Sequence, residues 1–137
     1  MAELAVKGFC EVVLEAGDLE PMVEFYEGLG MPVLSREDDR VWLAASPDSR
    51  LGIWTPGRKE HDDRGGRHVH FALSVTADTL DAQAKRLRAT GADVKGPVEH
   101  DGGDRSLYVF DPEGNRVELW DFFEDGAGEE EGVDALV

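Results

Sequence analysis

The chain has 137 residues, of which 30 are Asp or Glu and 14 are Lys or Arg, so its formal net charge is −16 at pH 7. That charge disfavours binding to nucleic acid or to an anionic membrane surface, because both are negatively charged. No apolar run approaches the ~20 residues that span a bilayer, although a hydrophobic content of 41% suffices for a folded core. With a single cysteine and no apolar leader, we expect a cytoplasmic protein without an internal disulfide.

The first part of the chain, residues 1–54, predicts a βαβββ module. Alternating residues in EVVLE, from Glu11, indicate a strand, and Asp18 is suited to cap the helix that follows. Apolar residues then recur at helical spacing, and Gly30 is placed to end the helix in a left-handed conformation. Three further strands are predicted up to Trp54, the last two from DDRVWLAA and RLGIW.

The same order of elements repeats over residues 68–123. HFALSV, from His70, matches the first strand, Asp78 is placed to cap the second helix, and GDRSLYVFD and RVELW match the last two strands. Residues 55–67 are predicted to be a Gly-rich linker, and residues 124–137 an acidic, disordered tail. The repeat predicts an α+β fold in which tandem βαβββ modules form a curved mixed sheet cup.

Alternation along the strands places ionisable side chains on the sheet face that the helices do not cover. In the first strand Cys10 and Leu14 face the helix, so we expect a packed thiol, and Glu11 faces away. In the last strand Leu119 faces the helix and Glu118 faces away. The helix-free face of a curved sheet is a natural cavity wall. Other residues predicted on this face are His68, His70, Arg116 and Trp120.

Three stretches across both modules carry a family pattern: EVVLEAGDLEPMVEFYEGLGMPV, HFALSV and SLYVFDPEGNRVELW. They resemble the vicinal oxygen chelate superfamily, which includes glyoxalases, bleomycin-resistance proteins, fosfomycin-thiol transferases and extradiol dioxygenases. The resemblance implies metal ligands on the first strand of each module and on the last strand of one or both. Carried over by position, the ligands are Glu11, His70 and Glu118, and the fourth position is Gly52. The implied cofactor is a divalent metal such as Mn, Fe, Ni, Zn or Mg, and this donor set favours the harder ions.

A second ligand set stays open. His68 and His70 share a face and lie ~7 Å apart along the strand. Both could bind one metal together with Glu118, as in iron sites that pair two histidines with a carboxylate. Glu11 would then serve as a general base.

The neighbours of the ligand positions predict the character of the cavity. Glu11 could instead be a structural partner of Arg50 or Arg116, because a carboxylate removed from water needs one. Gly52 would leave room for a metal or a bulky substrate to approach the strand. His100 lies in a charged loop and is expected at the surface. Aromatic side chains predicted to bind substrate are Trp54, Tyr108 and Trp120, of which Tyr108 matches a substrate-contacting tyrosine of the fosfomycin-thiol transferases.

These residues support several functions. The first is a metal-dependent lyase, isomerase or transferase that acts on a small oxygenated molecule, with Glu11, Glu118 and Tyr108 in catalysis. The others are a metal-free drug- or metabolite-binding protein and an extradiol-type dioxygenase. His68 and Gly52 are further residues predicted to contact the substrate. Because glyoxalases place a glutamate where this chain has Gly52, we predict that it is not a glyoxalase I. Unpaired sheet edges in each module predict a homodimer.

Overall fold

The computed structural model describes residues 5–6, 8–56 and 69–123. The first module runs in the predicted order, as β1 (Glu11–Glu15), α1 (Leu19–Gly28), β2 (Val33–Glu37), β3 (Arg40–Ser46) and β4 (Ser49–Trp54). The second module repeats it, as β5 (His70–Ser74), α2 (Ala77–Ala89), β6 (Val94–Glu99), β7 (Arg105–Phe110) and β8 (Arg116–Trp120). The repeated βαβββ order is therefore confirmed.

Some of the predicted features lie outside the described residues. They are His68, residues 57–67 of the predicted linker, and the predicted tail, residues 124–137. The chain divides into two compact units, one that contains β1 to β4 and one that contains β5 to β8. Within the described ranges, neither helix has the length and apolar character needed to cross a membrane.

Each module contains one four-stranded mixed sheet. The strand order is β1-β4-β3-β2 in the first and β5-β8-β7-β6 in the second. The first and last strands of each module pair in parallel, and the other neighbours are antiparallel. Tight turns join only antiparallel neighbours, so the parallel pair is reached by the long path through the helix and the other strands. The predicted α+β class with mixed sheets is confirmed.

Each helix begins at a side-chain cap. Asp18 caps α1 as predicted, and its carboxylate accepts the backbone N–H of Glu20 at 3.4 Å. The prediction for α2 is wrong, because the hydroxyl of Thr76 accepts the N–H of Thr79 at 3.1 Å. Asp78 instead lies in the first turn, where its negative charge favours the helix N-terminus.

The core of each module lies between its helix and one sheet face. In β8, Val117 and Leu119 are buried and Glu118 between them is not, as the alternation predicts. The predicted packing of Cys10 is wrong, since this cysteine precedes β1 and is exposed. Burying a large apolar side chain stabilises a fold by roughly 1.5–3 kcal/mol. The buried helix residues are Met22, Val23 and Tyr26 in α1 and Leu80, Ala84 and Leu87 in α2.

A hydrogen-bonded turn, DPEGN, starts β8. The buried Asp111 carboxylate accepts the backbone N–H groups of Glu113 and Asn115 through Oδ1, each at 2.9 Å, and the side-chain amide of Asn115 through Oδ2 at 2.8 Å. Gly114 has φ 86°, a left-handed conformation that glycine adopts without strain. The turn fixes where β8 begins, and hence which face Glu118 occupies.

Candidate functional site

The centre of the site in the second module is a contact between His70 and Glu118. β5 pairs with β8 so that Ala72 lies opposite Glu118, which puts His70 one step away on the same face. His70 Nε2 lies 3.0 Å from Glu118 Oε1. The His70 side chain is 34% exposed and that of Glu118 is 14% exposed, so the pair is open to solvent mainly through the histidine.

The second oxygen of Glu118 belongs to a hydrogen-bonded chain. Ser106 Oγ, in β7, donates to Glu118 Oε2 at 2.6 Å, and His100 Nε2 lies 2.8 Å from the same hydroxyl. Ser106 is fully buried and His100 is half-buried, so the predicted surface position of His100 is wrong. Sequence reasoning gave Ser106 no role, although its alternation with Tyr108 along the strand places both on the helix-free face.

Tyr108 completes this group of side chains. It lies directly opposite Glu118 in the β7–β8 register, and its ring centroid is 6.2 Å from that of His70. The guanidinium of Arg116 lies over the Tyr108 ring, 4.6 Å from its centroid, in a cation–π contact. Two of the three predicted ligands, Glu118 and His70, therefore lie beside the tyrosine that was predicted to contact substrate.

An open cavity of about 750 Å³ adjoins Glu118 in the second module. Trp120 and Phe122 form an aromatic part of its wall and stack on each other, with ring centroids 5.0 Å apart. Trp120 is held in place because its indole N–H donates to Asp104 Oδ2 at 2.6 Å. The remaining lining is mostly acidic, which favours a cation near Glu118. The lining carboxylates besides Glu118 are those of Glu99, Asp101 and Asp104.

In the first module, Glu11 forms an ion pair with Arg50, its neighbour in the β1–β4 register. Both Nε and Nη2 of Arg50 lie 2.8 Å from Glu11 Oε1. The guanidinium also lies over the ring of Trp42, 3.7 Å from the centroid. The sequence left Arg50 and Arg116 as alternative partners of Glu11, and the structure shows the pair with Arg50.

The position of Gly52 is covered by Trp42. A Cβ atom added to Gly52 would lie only 2.6 Å from Cζ3 of that ring. The prediction that Gly52 leaves open space for a metal or substrate is therefore wrong. Trp54 packs edge-to-face on Trp42 with ring centroids 6.0 Å apart, and Arg40 lies over Trp54 at 4.2 Å. Trp54 Nε1 is buried and has no hydrogen-bond partner among the described residues.

The spacing of His70 and Glu118 in the second module suits two ligands of one divalent metal ion. Two ligand atoms that occupy adjacent positions on such an ion, each about 2.1 Å from it, lie about 3 Å apart, which matches the His70–Glu118 contact. Among residues 5–6, 8–56 and 69–123, no three His, Cys, Asp or Glu side chains come together as a metal-binding group. Glu11 belongs to the first module, and His68 lies outside the described residues.

The chain matches one family model and is similar to a bacterial transferase and a bacterial dioxygenase. Residues 9–119 match the family model described as Glyoxalase/Bleomycin resistance protein/Dioxygenase superfamily. Metallothiol transferase FosB of Bacillus licheniformis is 27% identical over 123 residues, which cover 83% of this chain and 75% of that protein. Biphenyl-2,3-diol 1,2-dioxygenase 2 of Rhodococcus globerulus is 31% identical over 84% of this chain, a region that is 63% of the dioxygenase.

A solved structure resembles the fold. An integron cassette protein from the mobile metagenome of the Halifax Harbour sewage outfall superimposes with a TM-score of 0.69 and 26% identity. The match covers 85% of this chain and the whole of that one.

Proposed function

Because the chain belongs to the glyoxalase/bleomycin resistance protein/dioxygenase superfamily, we propose that it is a metal-dependent enzyme of the lyase, isomerase or transferase type. Its substrate would be a small oxygenated molecule. The observation that supports this most directly is the His70–Glu118 pair, with its ligand-like spacing and the Ser106 hydrogen bond on the other carboxylate oxygen. The similarity to the FosB transferase favours the transferase type.

The metal ligands we assign are His70, Glu118 and Glu11. Both contacts from Arg50 fall on Oε1 of Glu11, so Oε2 is the oxygen that we assign to the metal. An arginine on the remote oxygen keeps the carboxylate ionised and oriented, as outer partners do in metal sites. Two carboxylates with one imidazole suit Mn²⁺, Fe²⁺ or Mg²⁺ better than thiophilic ions.

A bound divalent metal would polarise a substrate oxygen and stabilise negative charge that develops on it. The chain's own side chains would bind and orient the substrate around that point. Tyr108, which lies opposite Glu118 in the β7–β8 register, would donate a hydrogen bond to a substrate oxygen. Trp120 and Phe122 offer a flat apolar wall in the adjoining cavity. Glu11 and Glu118 are the carboxylates nearest the reacting atoms in this proposal.

The proposed enzyme is not a glyoxalase I. The position that would carry a fourth ligand is Gly52, and Trp42 covers it. A carboxylate of ligand length has no room there while the tryptophan keeps its place. Conversion of the methylglyoxal–glutathione hemithioacetal by the wild-type protein would contradict this part of the proposal.

Metal binding tests the proposal directly. Titration calorimetry with Mn²⁺, Fe²⁺, Ni²⁺ and Zn²⁺, on protein first freed of bound metal, should show one site in the wild type. His70→Ala and Glu118→Ala should each weaken binding by roughly 100-fold or more, because each removes one of three protein ligands. Glu113→Ala, in the exposed turn before β8, is the matched control and should bind normally. Failure of the wild type to bind any of the four ions would reject the metal site.

We further propose that the protein is a homodimer. Glu11 of one subunit would then bind the same metal ion as His70 and Glu118 of the other. Refolding a mixture of Glu11→Ala and His70→Ala subunits distinguishes this arrangement from a site within one chain. Shared sites would restore metal binding in the mixed dimers, because each mixed dimer keeps one intact ligand set. Binding in neither variant nor their mixture would place the whole ligand set within one chain.

The second candidate is a metal-free binding protein. The stacked wall of Trp120 and Phe122 favours it, because this wall is an apolar surface suited to a flat ligand. If the metal titrations fail, tryptophan fluorescence with aromatic drugs in the presence of chelator should report binding near Trp120. The similarity to the Rhodococcus enzyme keeps a dioxygenase as a further outcome, which ring cleavage of a catechol by iron-loaded protein would reveal.

A further inference from the structure

His100, Ser106 and Glu118 form one continuous hydrogen-bonded chain that ends at His70. Ser106 Oγ donates to Glu118 Oε2 at 2.6 Å, and Glu118 Oε1 lies 3.0 Å from His70 Nε2. His100 Nε2 lies 2.8 Å from Ser106 Oγ. We propose that Ser106 and His100 are positioning residues that hold Glu118 as a metal ligand through one oxygen, an inference that rests on the proposed metal site.

The proton positions along this chain follow from the groups themselves. A serine hydroxyl has a single proton, and here that proton is donated to the carboxylate. Ser106 Oγ must then accept from His100, so His100 carries a proton on Nε2. Ser106 therefore donates to Glu118 and accepts from His100, and Glu118 Oε2 accepts the serine proton.

Burial makes this anchor strong. Ser106 has no exposed surface, and a hydroxyl that donates to a carboxylate out of water forms a short, charge-assisted bond. Rotation of the Glu118 carboxylate would break the bond to Ser106, so the orientation that keeps Oε1 beside His70 is favoured. Without the serine proton, the carboxylate could turn or bind through both oxygens, and the spacing of the pair would change.

His100 supports the serine from the side of the cavity. It follows β6 directly, its backbone N–H donates to the carbonyl of Asp104 at 2.8 Å, and its side chain lines the same cavity as Glu118. Its ring also meets Trp120 edge-to-face, with centroids 6.2 Å apart. His100, in the loop between β6 and β7, thus lines the cavity and also supports the serine that orients Glu118.

The test measures metal alone, with Mn²⁺ for affinity and Co²⁺ for its visible absorption spectrum. Ser106→Ala should weaken Mn²⁺ binding roughly 10- to 100-fold, the range typical of outer partners of metal ligands. His100→Ala should weaken binding less, by about 10-fold or under, whereas His100→Gln, which retains a donor, should stay near the wild type. Ser74→Ala, at an exposed position on β5, is the control.

The cobalt spectrum separates positioning from general stability. Loss of the anchor should shift the absorption bands of the Ser106→Ala protein, because the carboxylate then binds differently, whereas a merely less stable protein with the same site would keep the wild-type bands. Wild-type affinity and spectrum in both Ser106→Ala and His100→Ala would overturn this role and leave the metal site standing. A wild type that binds no metal would overturn the metal site and this role together.

Discussion

The two modules share one framework and use it for different purposes. In each, an arginine near the start of the last strand lies over an aromatic ring of the neighbouring strand, Arg50 over Trp42 and Arg116 over Tyr108. In each, that ring lies opposite the position that can carry a ligand, which is Gly52 in the first module. In the second module the equivalent residue is Glu118.

What differs is the pairing of large and small side chains. The first module combines a tryptophan with a glycine, and the ring fills the space over the strand. The second combines the smaller tyrosine with a glutamate, whose oxygens reach His70 and Ser106. At the register position that Ser106 occupies in the second module, the first has Arg40, which stacks on Trp54. One sheet face is therefore closed by rings and the other carries a polar network, although the backbones follow the same plan.

The largest effect should come from giving the first module the second module's glutamate. Gly52→Glu should destabilise the fold by roughly 1–3 kcal/mol, because its Cβ would meet the Trp42 ring at 2.6 Å. The double variant with Trp42→Tyr copies the Glu118–Tyr108 pair and should recover part of that loss in chemical unfolding, with Trp42→Tyr alone as the control. The double variant should also bind metal more tightly than the wild type if the glutamate at position 52 faces the metal. Gly52→Glu with wild-type stability would contradict the closed first module.

A smaller effect is expected for the two stacked arginines, whose cation–π coupling energies should differ. Arg50 lies 3.7 Å from its ring centroid and Arg116 lies 4.6 Å from its own. Because tryptophan is the better cation–π partner, the Arg50–Trp42 coupling should exceed the Arg116–Tyr108 coupling within a range of about 0.5–1 kcal/mol. Double-mutant cycles with Arg→Ala and ring→Leu changes measure both couplings in the same background. Equal couplings would show that ring type and distance do not distinguish the modules.

The smallest effect concerns an exposed ion pair of the second module. Arg105 donates to Asp81 at 2.9 Å, tying α2 to β7, and this hydrogen bond is the main cause that lowers the pKa of Asp81 below its usual 3.8. A carboxyl whose folded pKa is lowered adds stability above its unfolded pKa and loses it as pH falls through the folded pKa. Asp81→Asn should therefore be slightly less stable than the wild type at pH 7, and the difference should shrink below pH ~4.

Unfolding at several pH values checks this, with Asp93→Asn as a control in an exposed position. A difference that persists unchanged at pH ~3 would assign the effect of Asp81 to packing rather than to charge.

Much of the fold followed from the sequence because its signals are local. The alternation in RVELW and the helical spacing in α1 involve only residues close in sequence, and the structure confirms the strand and the helix that they predict. The occupant of the space over Gly52 could not be predicted in the same way. Counting inward from the Ser46–Ser49 pair places Leu43 opposite Gly52, but a bulge between Ala44 and Ser46 shifts the register and puts Trp42 there.

The sequence predicts the strand residues of the candidate site but not its loop residue, His100. Glu118 and His70 share a face by strand alternation, and their contact is present. His100 was missed because it follows a strand and reaches Ser106 across the β6–β7 hairpin, a distance that no periodicity encodes. A sharper signal was available in the side-chain alternation of β7, where Ser106 is a small polar residue two positions from Tyr108.

The turn held by Asp111 separates the start of β8 from the chemistry that the strand carries. Its carboxylate, the Asn115 amide and the left-handed Gly114 are needed to start β8 in register, whatever the strand then carries. Exchange of Glu118 or His70 would leave these hydrogen bonds within the turn in place. Glu118, three positions beyond the turn, can therefore be replaced without loss of the scaffold that presents it.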